Sequence, residues 1–201
     1  MFNWDKLSIN FRYNVGQLTE KRLEKITNEL KEKNINVNAT LNPDSTSNVI
    51  VLILEDNGCV FIVTPDNIQY NTLNPMDKEL CKKHMSAILD VFAAEELNTF
   101  LINAEGSSET LDSHSESVTS FNEKHNNVLS EHTYIYGIGY RFLVKKEYIN
   151  GELKIEPMVS DKKKFYYQYI FNTINKVSIE QLFELYDTEL TIDIDDIRGQ
   201  I

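Results

Sequence analysis

The chain has 201 residues, 41% hydrophobic and 25% charged, with 20 Lys+Arg against 31 Asp+Glu and a net charge of −11. That composition excludes wholesale disorder and collagen-like repeats, and the length suffices for a core that needs no disulfide or metal. An acid excess of this size argues against broad affinity for nucleic acid or for an anionic membrane.

The start, Met1-Phe2-Asn3-Trp4-Asp5-Lys6, has no basic stretch followed by an apolar one, so no secretory signal is read there. The longest apolar run, Val49–Leu54, is strand length and too short to span a bilayer. A cytoplasmic protein with no membrane contact is expected. Cys59 and Cys81 form no CxxC pair and read as buried thiols. The 21 asparagines, 20 isoleucines and 16 lysines are residues with AT-rich codons, which suggests a bacterial or phage source.

In chain order, Leu7, Ile9, Phe11, Tyr13 and Val15 alternate with polar residues and predict a half-buried strand. Thr19 is a helix N-cap, and Leu23, Ile26 and Leu30 give that helix one apolar face as far as Asn34. Ile35, Val37, Ala39 and Leu41 alternate again, up to Asn42-Pro43-Asp44. Residues 48–55 predict an apolar strand, Glu55-Asp56-Asn57-Gly58 a tight turn, and Val60–Val63 the returning strand. A further short strand is expected at Ile68-Gln69-Tyr70. Asn74-Pro75 reads as a helix start, with a stripe of Leu80, His84, Ile88, Val91, Phe92, Leu97, Phe100 and Leu101 running to about Asn103.

Residues 104–131 read as a long polar loop or a poorly packed strand, anchored only by Val118, Phe121, Val128 and Leu129. From His132, Tyr134, Tyr136, Ile138, Tyr140, Phe142 and Val144 predict a strand. Lys145–Glu152, with Asn150-Gly151, predicts a turn, and Leu153–Glu156 its partner strand. Phe165–Ile174 reads as an aromatic strand after the Asp161–Lys164 turn. Ser178 and Gln181 form a capping box, flanked by Val177 and Leu182 in hydrophobic-staple positions. Thr191–Ile197 alternates isoleucine with aspartate and reads as a charged edge strand.

Both halves run several strands and then a closing helix. The fold class expected is α+β: two similar halves of mostly antiparallel sheet, helices on one face, joined in one saddle-like sheet. The divisions are an N-terminal half (1–104), an acidic polar connection (105–131) and a C-terminal half (132–201), in a single folding unit.

No GxSxG, P-loop or GxGxxG motif is present, and seven glycines give little material for phosphate-binding loops. No cofactor and no catalytic residue are assigned. His125 and His132, near Glu123 and Glu131, sketch a zinc site and a small metal-dependent hydrolase, but without HExxH or HxxxH spacing. Asp193, Asp195 and Asp196 resemble a metal-binding DxD, and a solvated strand edge explains them better.

One pattern fits nucleic acid: Tyr140, Arg141, Lys145, Lys146, Lys162, Lys163, Lys164 and Tyr166 interleave cations with aromatics. In hairpins the same pattern is ordinary sheet construction. The leading expectation is therefore a non-catalytic protein-interaction module, such as an adaptor, antidote or complex subunit. Its acids Glu105, Glu109, Asp112, Glu116, Asp193 and Asp195 would meet another, basic, protein. The nucleic-acid-binding subunit is the alternative, and a homodimer through the aromatic second-half sheet stays open.

The segment Tyr136-Gly137-Ile138-Gly139-Tyr140-Arg141-Phe142, placed after a mid-chain helix, resembles a strand of a sporadically distributed family of uncharacterised bacterial proteins. The resemblance covers roughly residues 132–174 and implies a duplicated, TATA-binding-protein-like saddle. It implies an architecture and no site.

Overall fold

The structure is a computed structural model that describes residues 2–42, 48–55, 58–92, 98–132, 134–190 and 197. In chain order the elements are β1 (Phe2–Arg12), α1 (Glu20–Glu32), β2 (Val37–Asn42), β3 (Val49–Leu54), β4 (Val60–Val63), β5 (Asn67–Thr72) and α2 (Lys78–Val91). They continue with β6 (Phe100–Glu109), α3 (Ser113–Lys124), β7 (Tyr140–Lys145), β8 (Ile149–Pro157), β9 (Lys164–Thr173) and α4 (Ile179–Leu190). All nine strands join one antiparallel sheet in the order β2-β3-β4-β5-β1-β6-β9-β8-β7, with the helices packed on one face. The fold is α+β, as the element pattern predicts.

Alternation decides which face is which. Leu7, Ile9 and Phe11 of β1, with Ile68 and Tyr70 of β5, Ile102 of β6 and Tyr169 and Phe171 of β9, are buried under the helices. Their neighbours, Asn10, Gln69, Asn103 and Gln168 among them, lie on the opposite, open face. A bulge between Trp4 and Lys6 in β1 resets the register so that Trp4 is also buried.

The two halves of the sheet repeat one plan. From its centre outward the first half reads β1, β5, β4, β3, β2 and the second β6, β9, β8, β7. Ile9 and Ile102 face each other across the central pair, and their other neighbours are Tyr70 and Phe171. A pseudo-twofold axis therefore passes between the two isoleucines. Ten positions beyond them stand Thr19 and Asp112, the N-caps of α1 and α3. The helices α1 and α3 are each followed by an asparagine of positive φ, Asn34 at 58° and Asn126 at 55°. Tyr70-Asn71-Thr72-Leu73-Asn74 returns 101 residues later as Phe171-Asn172-Thr173-Ile174-Asn175. Ile9-Asn10 returns 93 residues later as Ile102-Asn103. Two offsets arise because the segments between these motifs differ in length.

Several expectations are corrected. The helix begun at Asn74 starts instead on Asp77, whose side chain accepts from the Leu80 amide, while Asn74–Met76 form a turn. It ends at Val91, and Phe100–Asn103 belong to β6, because paired apolar residues there satisfy a strand period as well as a helical one. The polar residues 105–109 continue β6 and 113–124 form α3, so of the expected connection only residues 110–112 and 125–131 lie outside helix and strand. Gly106 and Ser108 are small because Tyr167 lies against them, with its hydroxyl 2.7 Å from Ser108 Oγ. Ser113 and Ser117 face inward on α3 and are held by polar contacts: Ser113 donates to the Lys162 carbonyl, and Ser117 accepts from the Ile138 amide. Asn150 and Gly151 are strand residues, and the β7–β8 turn is Lys146–Tyr148. Strand β7 begins only at Tyr140. The expected strand at 191–197 lies outside the described residues apart from Ile197.

Candidate interaction surfaces

The open face carries carboxamides about the pseudo-twofold axis, tied into short networks. Gln69 Nε2 donates to Ser8 Oγ at 3.1 Å and to Asn71 Oδ1 at 2.8 Å. In the second half Gln168 Nε2 donates to Asn103 Oδ1 at 3.2 Å, and Lys154 donates to Gln168 Oε1 at 3.2 Å. Toward β3 and β4 this face turns apolar through Val49, Val51, Ile53, Val60 and Ile62. A cleft of about 390 Å³ opens beside Asn10, Arg12, Asn67, Leu101 and Asn172.

The acids expected to form a partner surface are distributed among local roles. Glu105 lies on the open face, 3.6 Å from Lys6, and accepts from Asn103. Asp112 caps α3 by accepting from the Ser115 amide. Glu116 accepts from Thr110 Oγ1 in the first turn, where the helix dipole favours a carboxylate. Glu109 ends β6 exposed. Asp193 and Asp195 lie outside the described residues.

The cations and aromatics of the nucleic-acid pattern are divided between two faces. Tyr140 points to the helix side and Arg141 to the open side, where Arg141 pairs with Glu152 and holds that carboxyl below the usual carboxylate range. Lys145 ends β7 on the open side, and Lys146 in the turn pairs with Glu189 on α4, with both oxygens at 2.8 Å. Lys162 and Lys163 are exposed in the β8–β9 turn. Lys164 and Tyr166 lie on the open face; burial and nearby Glu105 and Glu156 push the Tyr166 hydroxyl up to about 12.

The histidines do not converge. His125 caps the end of α3 with its ring on Phe121, and His132 Nδ1 lies 3.1 Å from the Tyr134 hydroxyl. Among the described residues no three His, Cys, Asp or Glu side chains are grouped to hold a metal. His84 is buried on the inner face of α2, its Nδ1 3.1 Å from the Tyr70 hydroxyl, which also lies 3.2 Å from Cys59 Sγ. Burial pushes the Cys81 thiol up to about 11, the wrong direction for a nucleophile. A second sealed network joins Glu189, only 2% exposed, to the Tyr169 hydroxyl at 2.7 Å.

The feature that sequence reading missed is the uneven exposure of large apolar side chains. Among the described residues, Ile53, Leu73 and Met76 are exposed in the first half; nine are exposed from Leu101 onward. Three of the nine gather at one end of the second half. Tyr134, Tyr136 and Val159 line a cleft of about 290 Å³ with His114, Pro157 and Glu156. Leu111 is also exposed, on a loop stitched to the β8–β9 turn by Thr110 N–H to Lys163 O (2.8 Å) and Ser113 N–H to Lys162 O (2.7 Å). Alternating tyrosines before a Gly-x-Gly segment read as strand, which concealed their exposure.

No helix among the described residues is long and apolar enough to cross a membrane. No protein-family model matches the chain, and no curated protein does either.

Proposed function

We propose that this chain is a non-catalytic protein-interaction module, an adaptor, antidote or complex subunit, whose docking side is the second half of the sheet. The observation that carries the reading is the cluster of Tyr134, Tyr136 and Val159, with Val159 85% exposed, around the His114–Pro157 cleft. Contiguous exposed apolar side chains with tyrosines among them are what a protein interface buries, and tyrosine is enriched among residues that dominate binding energy. Lys162, Lys163 and Glu156 supply a polar rim. The nucleic-acid reading draws less support, since Tyr140 faces the helix layer and leaves Tyr166 as the open-face aromatic of its set.

The test replaces Tyr136 and Val159 together by serine in the tagged full chain. Thermal unfolding should move little, because both side chains are already solvated. Proteins that co-purify from the source cells with the parent chain should be lost from the double variant. Retention of the same partners would remove this surface from the reading. A salt-dependent rise in fluorescence anisotropy of labelled single-stranded DNA or RNA on adding the chain would favour the alternative.

A further inference from the structure

The first half closes its sheet with β2, and among the described residues the second half has no counterpart to it. The register identifies the place that is left. Leu52 of β3 faces Phe61, which faces Tyr70; Val144 of β7 faces Gly151, which faces Phe171. Strand β7 is therefore the equivalent of β3. On β3, Val37, Ala39 and Leu41 of β2 sit beside Leu54, Leu52 and Ile50 on the helix side, while Asn38, Thr40 and Asn42 lie on the open face. On β7 the corresponding helix-side residues, Phe142 and Val144, are partly buried against the core, and among the described residues no strand lies beyond them.

We propose that the outer edge of β7 takes an added strand from a partner protein: an extended segment whose side chains alternate apolar and acidic. This rests on the docking role of the second half. The apolar side chains would lie beside Tyr140, Phe142 and Val144, as β2 does on β3. The acidic ones would share the open face with Arg141, Leu143 and Lys145, where Leu143 is 81% exposed between two cations. Edge cations keep stray strands away, and a strand with acids at those positions turns that barrier into attraction. The same cations disfavour a second copy, because pairing β7 with β7 sets Arg141 and Lys145 of one copy against those of the other, with Glu152 offsetting only the Arg141 charges.

The experiment titrates isotope-labelled full chain with a capped ten-residue peptide of alternating valine and glutamate, followed by amide chemical shifts and hydrogen exchange. The expected result is shifts and slowed exchange confined to residues 140–145 and their β8 neighbours. N-methylation of one alternate set of peptide residues should abolish binding, and methylation of the other set should not, since an added strand pairs through one edge. Arg141→Glu with Lys145→Glu should weaken binding about tenfold, as two cross-strand attractions become repulsions. Shifts at Tyr134, Tyr136 and His114 without change at 140–145 would overturn strand addition and leave the docking surface standing. Absence of any second-half shift at millimolar peptide would count against both. Peptide-independent dimerisation that protects the β7 amides would overturn the proposal in favour of a second copy.

Discussion

The two halves of the sheet share one plan, and they differ most at their outer edges. Among the described residues the first half has five strands, and its outermost, β2, covers β3 and packs against α1. Among the same residues the second has four, and its outermost, β7, leaves Leu143 in water. The helices follow suit. In α1, Ile26 and Leu30 are buried, a hydrophobic stripe that pulls the helix onto the sheet. In α3 the fully buried positions are Ser113 and Ser117, which bind by hydrogen bonds to the β8–β9 turn and to the segment before β7. A duplicated fold needs its shared centre in both copies, whereas its rims are free to diverge. The first half illustrates closure, and the second exposes the apolar side chains that closure would have covered.

The centre is where the halves should agree most closely. Ile9 and Ile102 are both buried, face each other, and each flanks an aromatic on the outer side. Replacing either by alanine should cost about 3 kcal/mol, from lost burial plus the cavity left behind. Urea or thermal unfolding of the two variants measures this. Losses that differ by more than about 1 kcal/mol would break the equivalence inferred from register, since the two substitutions delete the same atoms.

A step outward the halves diverge in a way packing explains. Phe61, opposite Tyr70, has Gly151 as its counterpart opposite Phe171. A Cβ at Gly151 would lie 2.8 Å from both the Ile170 carbonyl oxygen and Phe171 Cβ, so that backbone comes too close for any side chain. Beside Phe171, with ring centroids 5.1 Å apart, the second half has Tyr169 where the first half has the smaller Ile68. Gly151→Ala should therefore destabilise by about 2 kcal/mol through overpacking. Unfolding curves test this directly, and a neutral outcome would mean that the second half yields more readily than its packing implies.

Most of the first half was legible in the sequence because its local signals agree with its tertiary setting. Thr19 caps α1 as its position predicts, and in the second half the same agreement holds at α4, where Ser178 and Gln181 form the reciprocal capping pair, with distances of 3.0 and 3.2 Å. The centre of the second half was hidden. Strand β6 carries Gly106, Ser107 and Ser108 because large tyrosines of β9 fill the space across from it, so its own residues show little β character. Helix α3 was hidden because its buried face is made of serines, which periodicity in hydrophobic residues does not register. The repeat Tyr70–Asn74 and Phe171–Asn175 was visible in the letters, but its offset differs from that of Ile9-Asn10 and Ile102-Asn103, so a single-period comparison misses one or the other. The exposed cluster near Tyr136 depends on tertiary placement, since alternation alone marks those tyrosines as half-buried.

The smallest expected effect sharpens the comparison at the rim. Val51 and Leu143 occupy equivalent open-face positions, on β3 and β7. Val51 is flanked by Thr40 of β2 on one side and Ile62 of β4 on the other, and is partly buried. Leu143 has Glu152 on one side, and among the described residues no strand residue faces it on the other. Serine at position 51 removes a half-buried apolar side chain and a β-branched fit between two neighbours, at a cost of about 1 kcal/mol. Serine at position 143 removes a side chain the folded state already leaves in water, so its cost should stay within about 0.5 kcal/mol. The larger side chain thus has the smaller effect, an inversion that hydrophobicity alone does not give. A loss at Leu143 equal to that at Val51, measured by denaturant unfolding of the isolated chain, would mean that something already covers the β7 edge.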